Sequence, residues 1–102
     1  MQKIKTKPSV ALESNRDQIR RIVALNDACN PRIFGSTSRG EDHDGSDLDI
    51  LVDPIHGKTT LMSLVNIELE LSALLGVKVD VQTPLSLSER FRKKVIDESI
   101  PV

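Results

Sequence analysis

The stretch FGSTSRGEDHDGSDLDILVD, residues 34–53, decides how the rest of this sequence is interpreted. Residues 32–34, where the stretch begins, form a short β-prone segment. Residues 35–38 then supply a glycine and three hydroxyl side chains that can turn the chain and cap a helix. The segment of residues 47–52 begins with the alternation Asp, Leu, Asp, Ile, and Pro54 ends the run. The stretch therefore predicts a strand, a turn with a stub of helix, and a second strand.

Three aspartates are the candidate metal ligands and catalytic groups. Asp47 and Asp49 lie two residues apart on the second predicted strand, so they project from the same face. Valines alternate with Lys78 and Asp80 over residues 77–81, which predicts a third strand with Asp80 on its polar face. If the two strands are neighbours in register, the three carboxylates lie together and repel one another. Mg²⁺ is the cation that fits best, because it prefers oxygen ligands and is held by one or two carboxylates together with substrate phosphates.

The glycine-serine turn is a candidate phosphate site. Gly35 lets the backbone approach a phosphate closely, the Ser36 hydroxyl can donate a hydrogen bond, and the start of the following helix presents free N–H groups. Arg39, one turn further on, can contact a phosphate oxygen or pair with a nearby carboxylate, and we favour the carboxylate.

Hydrophobic periodicity predicts three further helices. The first covers residues 9–28, with Ser9 or Ser14 as its N-cap; the second runs from residue 59 or 60 to residue 75 and ends before Gly76; the third starts after Ser86 or Ser88 and ends near residue 98. The resulting order, α, β, short α, β, α, β, α, predicts an α/β or α+β fold in which helices pack on a small mixed β-sheet.

The middle helix is apolar around most of its circumference. Its narrow polar stripe consists of Ser63, Asn66 and Glu70. Such a helix either wedges between the sheet and the first helix or offers a surface to a partner, and the sequence leaves both interpretations open.

The composition predicts one small domain. Its 102 residues are interpreted as a loose arm at residues 1–8 and a single domain at residues 9–102. With 2% aromatic residues the core must be aliphatic, and a net charge of −1 gives no positive field for direct nucleic-acid binding. One cysteine, no secretory leader and no long apolar run favour a cytoplasmic location away from membranes.

The spacing of Gly35-Ser36, ten residues, and Asp47-x-Asp49, followed by Asp80 on a later strand, resembles the nucleotidyltransferase superfamily that includes polymerase β. The text of residues 34–53 is similar to its minimal, single-domain members. The resemblance implies a nucleotidyltransferase fold and ATP as substrate. It implies that Gly35 and Ser36 bind the triphosphate, that Asp47 and Asp49 hold two Mg²⁺ ions, and that Asp80 shares one ion and takes the proton of an acceptor hydroxyl.

Small members of this kind resemble the antitoxin half of two-gene modules whose other half is an α-helical HEPN ribonuclease. The resemblance implies transfer of AMP to a tyrosine of that toxin, which silences it. This chain contains no tyrosine, so such an acceptor would belong to another protein. Two alternatives remain open: an antitoxin that masks its partner without catalysis, and transfer to a small molecule, against which the short chain argues.

Other polar residues are assigned no function. His43 and His56 are expected to be exposed, Cys29 to be a small packing residue, and Asp53 to be a strand-end residue. A basic face on the last helix is interpreted as solvated surface, with contact to a toxin or RNA as the lesser alternative; it consists of Arg90, Arg92, Lys93 and Lys94.

Overall fold

The structure, a computed structural model, describes residues 7–102. The helices and strands, in chain order, are α1 (Pro8–Glu13), α2 (Arg16–Leu25), β1 (Ala28–Phe34), β2 (Leu48–Pro54), α3 (Leu61–Leu75), β3 (Val79–Gln82), a 3₁₀ turn (Pro84–Ser86), α4 (Glu89–Glu98) and β4 (Ile100–Pro101). Most of the predicted arm lies outside the described residues. Its last residue, Pro8, is the first residue of α1 and is buried, so the predicted arm is one residue too long.

The strands form one mixed sheet in the order β3-β2-β1-β4. β1 is antiparallel to β2 and to β4, whereas β2 and β3 are parallel. The predicted α/β architecture with helices on a small mixed sheet is therefore confirmed. β4 was missed, because Pro101 indicated only the end of a helix; proline lacks an N–H group, and an edge position is where a strand tolerates it.

β1 begins four residues earlier than the predicted start at Arg32. Pro31 lies inside this strand, at a shift of register between Cys29 and Arg32. Asn30 has φ +52° at that irregularity. A bulge is one of the few places where a strand accepts proline, which accounts for Pro31 within β1.

The predicted first helix is two helices. Asn15 separates them: its side-chain amide donates to the carbonyl of Ala11 at 2.8 Å, and its backbone is non-helical. Neither predicted serine is an N-cap, because the caps of α1 and α2 are Lys7 and Asn15. At the start of α1 the Ser9 N–H donates to the carboxylate of Asp42 at 2.9 Å. A carboxylate 33 positions away thus replaces a local cap.

α3 keeps its predicted ends. Thr60 and Ser63 form a capping box, and Gly76 ends the helix with φ +69°. Ser63 is buried and takes part in that box, so the predicted polar stripe is exposed only at Asn66 and Glu70. The side chains of Ile67, Leu71 and Leu75 enter the core, whereas large apolar residues stay exposed on the opposite side: Leu61, Met62 and Leu69.

The two faces of the sheet differ. One face carries the aliphatic core against α2 and α3, formed by residues such as Ile33, Ile50 and Val79. The other face carries Asp49, Asp80 and the fully buried Leu51. Helix α4 contacts β1, and the 3₁₀ turn contacts β2. No α4 side chain is buried, and Phe91 is 56% exposed. None of the helices within residues 7–102 is long and apolar enough to span a membrane.

Candidate active site

Asp49 and Asp80 lie directly opposite each other on the parallel strands β2 and β3. Their neighbours Leu48 and Val79 also pair, and both are buried on the core side. Because successive side chains of a strand alternate between faces, the two half-buried aspartates share the opposite face. The structure thus brings together two of the three carboxylates singled out in the sequence.

Asp47 stands just before β2 and is exposed. Burial is the main reason that the pKa of Asp49 is raised above its ordinary value, and the charges of Asp80 and Asp47 raise it further. The Arg39 guanidinium acts in the opposite direction. The surroundings of Asp49 therefore disfavour its ionised form, and a cation bound there would relieve the repulsion.

Gly35 lies against the carboxylate of Asp49. Phe34 pairs with Asp49 across β1 and β2, and Gly35 follows with φ +75°. A Cβ atom at position 35 would lie 2.5 Å from Asp49 Oδ2, closer than real contacts allow. Only glycine combines this backbone conformation with such an approach, so the turn and the carboxylate form one site.

The stub of helix predicted after Ser36 is instead a run of hydrogen-bonded turns over residues 35–40. The Arg39 N–H donates to the carbonyls of Gly35 and Ser36, and positive φ angles at Gly35 and Gly40 bound the segment. A helix cannot continue through either glycine in this conformation. The turn still folds back on itself, because the Ser38 hydroxyl donates to the Gly35 carbonyl at 2.8 Å.

Two hydroxyls of this turn have no hydrogen-bond partner among the described residues. The half-buried Ser36 side chain makes none of the hydrogen bonds within residues 7–102. Thr37 Oγ1 is buried and also unpartnered in that range. Sequence analysis missed Thr37, and the only signal was its place in the turn after Gly35. Ser36 is thus the hydroxyl of the turn that is accessible and uncommitted.

Arg39 pairs with Glu41, with Nε 3.0 Å from Oε1. Both side chains are exposed. The carboxylate favoured for Arg39 in the sequence is thus a neighbouring residue, while its charge still acts on Asp49.

The donor atoms of the site suit a hard divalent ion, because they are carboxylate oxygens. The raised pKa of Asp49 is the further observation that fits such an ion. Within residues 7–102, however, no three His, Cys, Asp or Glu side chains are arranged as a metal-binding group. Asp49 and Asp80 therefore form a facing pair with Asp47 beside them, rather than the compact three-carboxylate cluster that was expected.

The remaining polar residues divide into structural and exposed groups. Asp53 accepts from Arg32 at 3.0 Å and from Asn30 at 2.9 Å, which ties the end of β2 to β1. His43 and His56 are exposed, as predicted. Cys29 is exposed too, so its prediction as a packing residue is wrong.

The predicted basic face of α4 is only partly free. Arg92 is half-buried and donates to the carbonyls of Pro84 and Leu87. Lys93 pairs with Asp97. Arg90 lies over the ring of Phe91 at 5.8 Å, and Lys94 is exposed.

Comparison with known proteins agrees with this geometry. Residues 17–102 match the family described as the nucleotidyltransferase domain. The chain is 40% identical over 70 residues to protein adenylyltransferase MntA of Thermococcus cleftensis (strain DSM 27260 / KACC 17922 / CL1), which covers 69% of this chain and 70% of that protein.

Solved structures share the fold. One that is provisionally described as a minimal nucleotidyltransferase has a TM-score of 0.82 and 37% identity, and covers 92% of this chain and 95% of that one. A toxin-antitoxin complex with AMP-PNP has a TM-score of 0.71 over 85% of this chain and 71% of that one; at 24% identity it shows the fold alone. The family match includes the turn at Gly35 and all three aspartates. The chain therefore belongs to the nucleotidyltransferase family and is a nucleotidyltransferase.

Proposed function

We propose that this chain is a Mg²⁺-dependent antitoxin that transfers AMP from ATP to a hydroxyl group, a tyrosine side chain, of a HEPN-family ribonuclease toxin. The register that sets Asp49 opposite Asp80 beside the Gly35 turn is the observation that carries the proposal. The relationship to a protein adenylyltransferase supports AMP as the transferred group. The fold shared with a toxin-antitoxin complex containing AMP-PNP supports ATP as donor and a toxin as partner.

In this proposal the turn binds the triphosphate. The Ser36 hydroxyl, uncommitted within the described residues, donates to a phosphate oxygen, and Gly35 lets the backbone come close. Arg39 adds positive charge beside the phosphates. To contact them, its guanidinium has to separate from the Glu41 carboxylate.

Asp47, Asp49 and Asp80 would hold the metal, with two ions as the expected number. Mg²⁺ bound there neutralises phosphate charge and favours an ionised acceptor oxygen. Asp80 accepts the proton of the acceptor hydroxyl. The acceptor oxygen bonds to the α-phosphorus, the bond from that phosphorus to the bridging oxygen of the β-phosphate breaks, and pyrophosphate leaves. Charge and atoms balance with the proton on Asp80.

The acceptor comes from outside this chain. The sequence holds no tyrosine, so transfer to a phenol requires a partner protein and a hetero-oligomeric encounter. The exposed side chains of Leu61, Met62 and Leu69 on α3 and of Phe91 on α4 are apolar surface that such an encounter could cover. We place this reaction in the cytoplasm, in keeping with the single cysteine of the sequence.

Label transfer from α-labelled ATP to a co-purified HEPN partner tests the proposal. Asp49→Asn and Asp80→Asn should each lower the rate by about 100-fold or more, because both replace a carboxylate that binds metal or takes a proton. Asp17→Asn is the matched control, since Asp17 is an exposed aspartate on α2. Mass spectrometry of the partner should show the gain of AMP on a tyrosine.

The outcomes separate the three hypotheses. Equal label transfer by wild type and both aspartate variants would overturn the catalytic assignment. Protection of cells from the toxin by the inactive variants would instead indicate that binding alone neutralises it. Transfer to an aminoglycoside or a nucleotide, with none to the partner, would identify a small-molecule enzyme.

A further inference from the structure

We propose that Glu68 and Ser72 of α3 are positioning residues that hold β3, and with it Asp80, in place against β2. This inference rests on the proposed function, since it assigns Asp80 a role in metal binding and proton transfer. Neither residue belongs to the motif at residues 34–53, and within residues 7–102 their side chains accept from the amides of Val81 and Val79, not from the acidic pair.

Two side chains of α3 bind the outer edge of β3. Ser72 Oγ accepts from the Val79 N–H at 3.1 Å, and Glu68 Oε2 accepts from the Val81 N–H at 2.8 Å. Alternate peptide groups of a strand point to opposite edges. The Lys78 carbonyl accepts from the Leu48 N–H on β2, so the peptide groups of Val79 and Val81 face away from β2. Both outward amides that flank Asp80 are therefore satisfied by α3.

The spacing of the two contacts follows from the geometry of a helix beside a strand. Glu68 and Ser72 are four residues apart, a rise of about 6 Å along a helix, and Val79 and Val81 are separated by about 6.6 Å along a strand. The helix runs antiparallel to the strand, because the earlier helix residue binds the later strand residue. The two elements are therefore matched in length at these two points.

Asp80 depends on this attachment more than Asp49 does. Asp49 lies on β2, which has strand neighbours on both sides, whereas β3 has four residues and lies at the edge of the sheet. A fifth strand would normally fix such an edge. Here the side chains of a helix do so, and the helix is itself fixed by Ile67, Leu71 and Leu75 in the core. Since reacting groups lose rate when displaced by about 1 Å, the position of β3 matters for Asp80.

Three variants and a matched control test the inference. Glu68→Ala removes the acceptor for the Val81 amide, Glu68→Gln keeps a carbonyl oxygen there, and Ser72→Ala removes the acceptor for the Val79 amide. Glu70→Ala is the control, because Glu70 is an exposed glutamate of the same helix whose carboxylate accepts from Asn26 at 2.7 Å. Amide hydrogen exchange by NMR first establishes each contact: Glu68→Ala should expose Val81 selectively, and Ser72→Ala should expose Val79.

The functional readouts are Mn²⁺ affinity, followed by EPR with the metal alone, and AMP transfer. Glu68→Ala should weaken Mn²⁺ binding and lower kcat by about 10-fold each, with KM for ATP changed less than about 2-fold, because supporting residues act on the groups they orient. Glu68→Gln should recover most of both values, and Glu70→Ala should match wild type. A residue that only stabilised the fold would lower Tm and leave kcat per folded molecule unchanged.

Wild-type Mn²⁺ affinity and kcat in folded Glu68→Ala would overturn the inference. If that variant does not fold, the same measurements on Ser72→Ala decide, with wild-type values again overturning it. Absence of AMP transfer by the wild-type chain would contradict the proposed function instead. The Mn²⁺ affinities of the variants would then still test whether α3 positions Asp80.

Discussion

Gly35 determines both the conformation of the turn and the space beside the Asp49 carboxylate. Its φ is +75°, and a Cβ atom at this position would lie 2.5 Å from Asp49 Oδ2, so a side chain there would displace the Asp49 carboxylate. The glycine-serine pair was visible in the sequence. The closeness of its backbone to Asp49 was not, because that distance depends on the pairing of β1 with β2.

Gly35→Ala should therefore lose both stability and activity. The positive φ costs about 1–2 kcal/mol for any L side chain, and displacement of the Asp49 carboxylate should lower AMP transfer by about 100-fold. Gly57→Ala is the matched control, since Gly57 has φ +77° and nothing within 4 Å of an added Cβ. Urea unfolding should show similar losses for both, and label transfer a loss for Gly35→Ala only. Full activity in Gly35→Ala would contradict the close contact.

We expect the ionised Asp49 side chain to lower the free energy of unfolding when no metal is bound. Its pKa is raised in the folded protein, so its contribution lowers stability as pH rises above the ordinary value of 3.8. Asp49→Asn should therefore raise Tm by a few degrees at pH 7, limited by solvent screening at this half-buried site, and this gain should shrink near pH 3. Mg²⁺ should raise the Tm of wild type and not of the variant. Thermal melts with and without Mg²⁺ measure all three effects.

At the scale of elements, signals that are local in sequence were interpreted correctly. α3 begins at its capping box and ends at Gly76, and β2 buries Leu48, Ile50 and Val52 on the face that its sequence predicts. The errors occur where a distant or side-chain contact decides. The break at Asn15 depends on a hydrogen bond from its side chain to the Ala11 carbonyl, which competes with the helical pattern.

The start of α1 gives a test of one such distant contact. Asp42→Ala removes the acceptor for the Ser9 N–H and should cost about 1 kcal/mol, as other helix caps do. Burial acts to raise the pKa of Asp42, but the hydrogen bonds from Ser9 and from the Asp42 backbone, together with the charge of Lys7, outweigh it and the pKa is lowered. The stabilising contribution is therefore present above the ordinary value of 3.8 and is lost as pH falls.

Urea unfolding at pH 7 and pH 3 measures this contribution. The difference between wild type and Asp42→Ala should decrease at the lower pH. Asp44→Ala, which changes an exposed aspartate of the same loop, should stay within about 0.5 kcal/mol of wild type. An equal loss in both variants would mean that the loop, and not the cap, is responsible.

At the scale of the whole molecule, the sequence patterns of Val77–Val81 and of residues 47–52 were enough to predict that the sheet has one aliphatic face and one acidic face. They were not enough to predict strand order, because β4 has two residues and β3 is joined to β2 by a helix. Nor could they reveal that Glu68 and Ser72 are bound to the β3 edge, since an amphipathic pattern does not say which backbone a side chain meets.

The attachment of α4 has a consequence for its mobility. None of its side chains is fully buried, so this helix adds less to the free energy of folding than α2 or α3 does. It is held mainly by the hydrogen bonds from Arg92 to the carbonyls of Pro84 and Leu87 and by the pairing of β4 with β1. Transient loosening of α4 would therefore leave the paired strands that carry Asp49 and Asp80 in register.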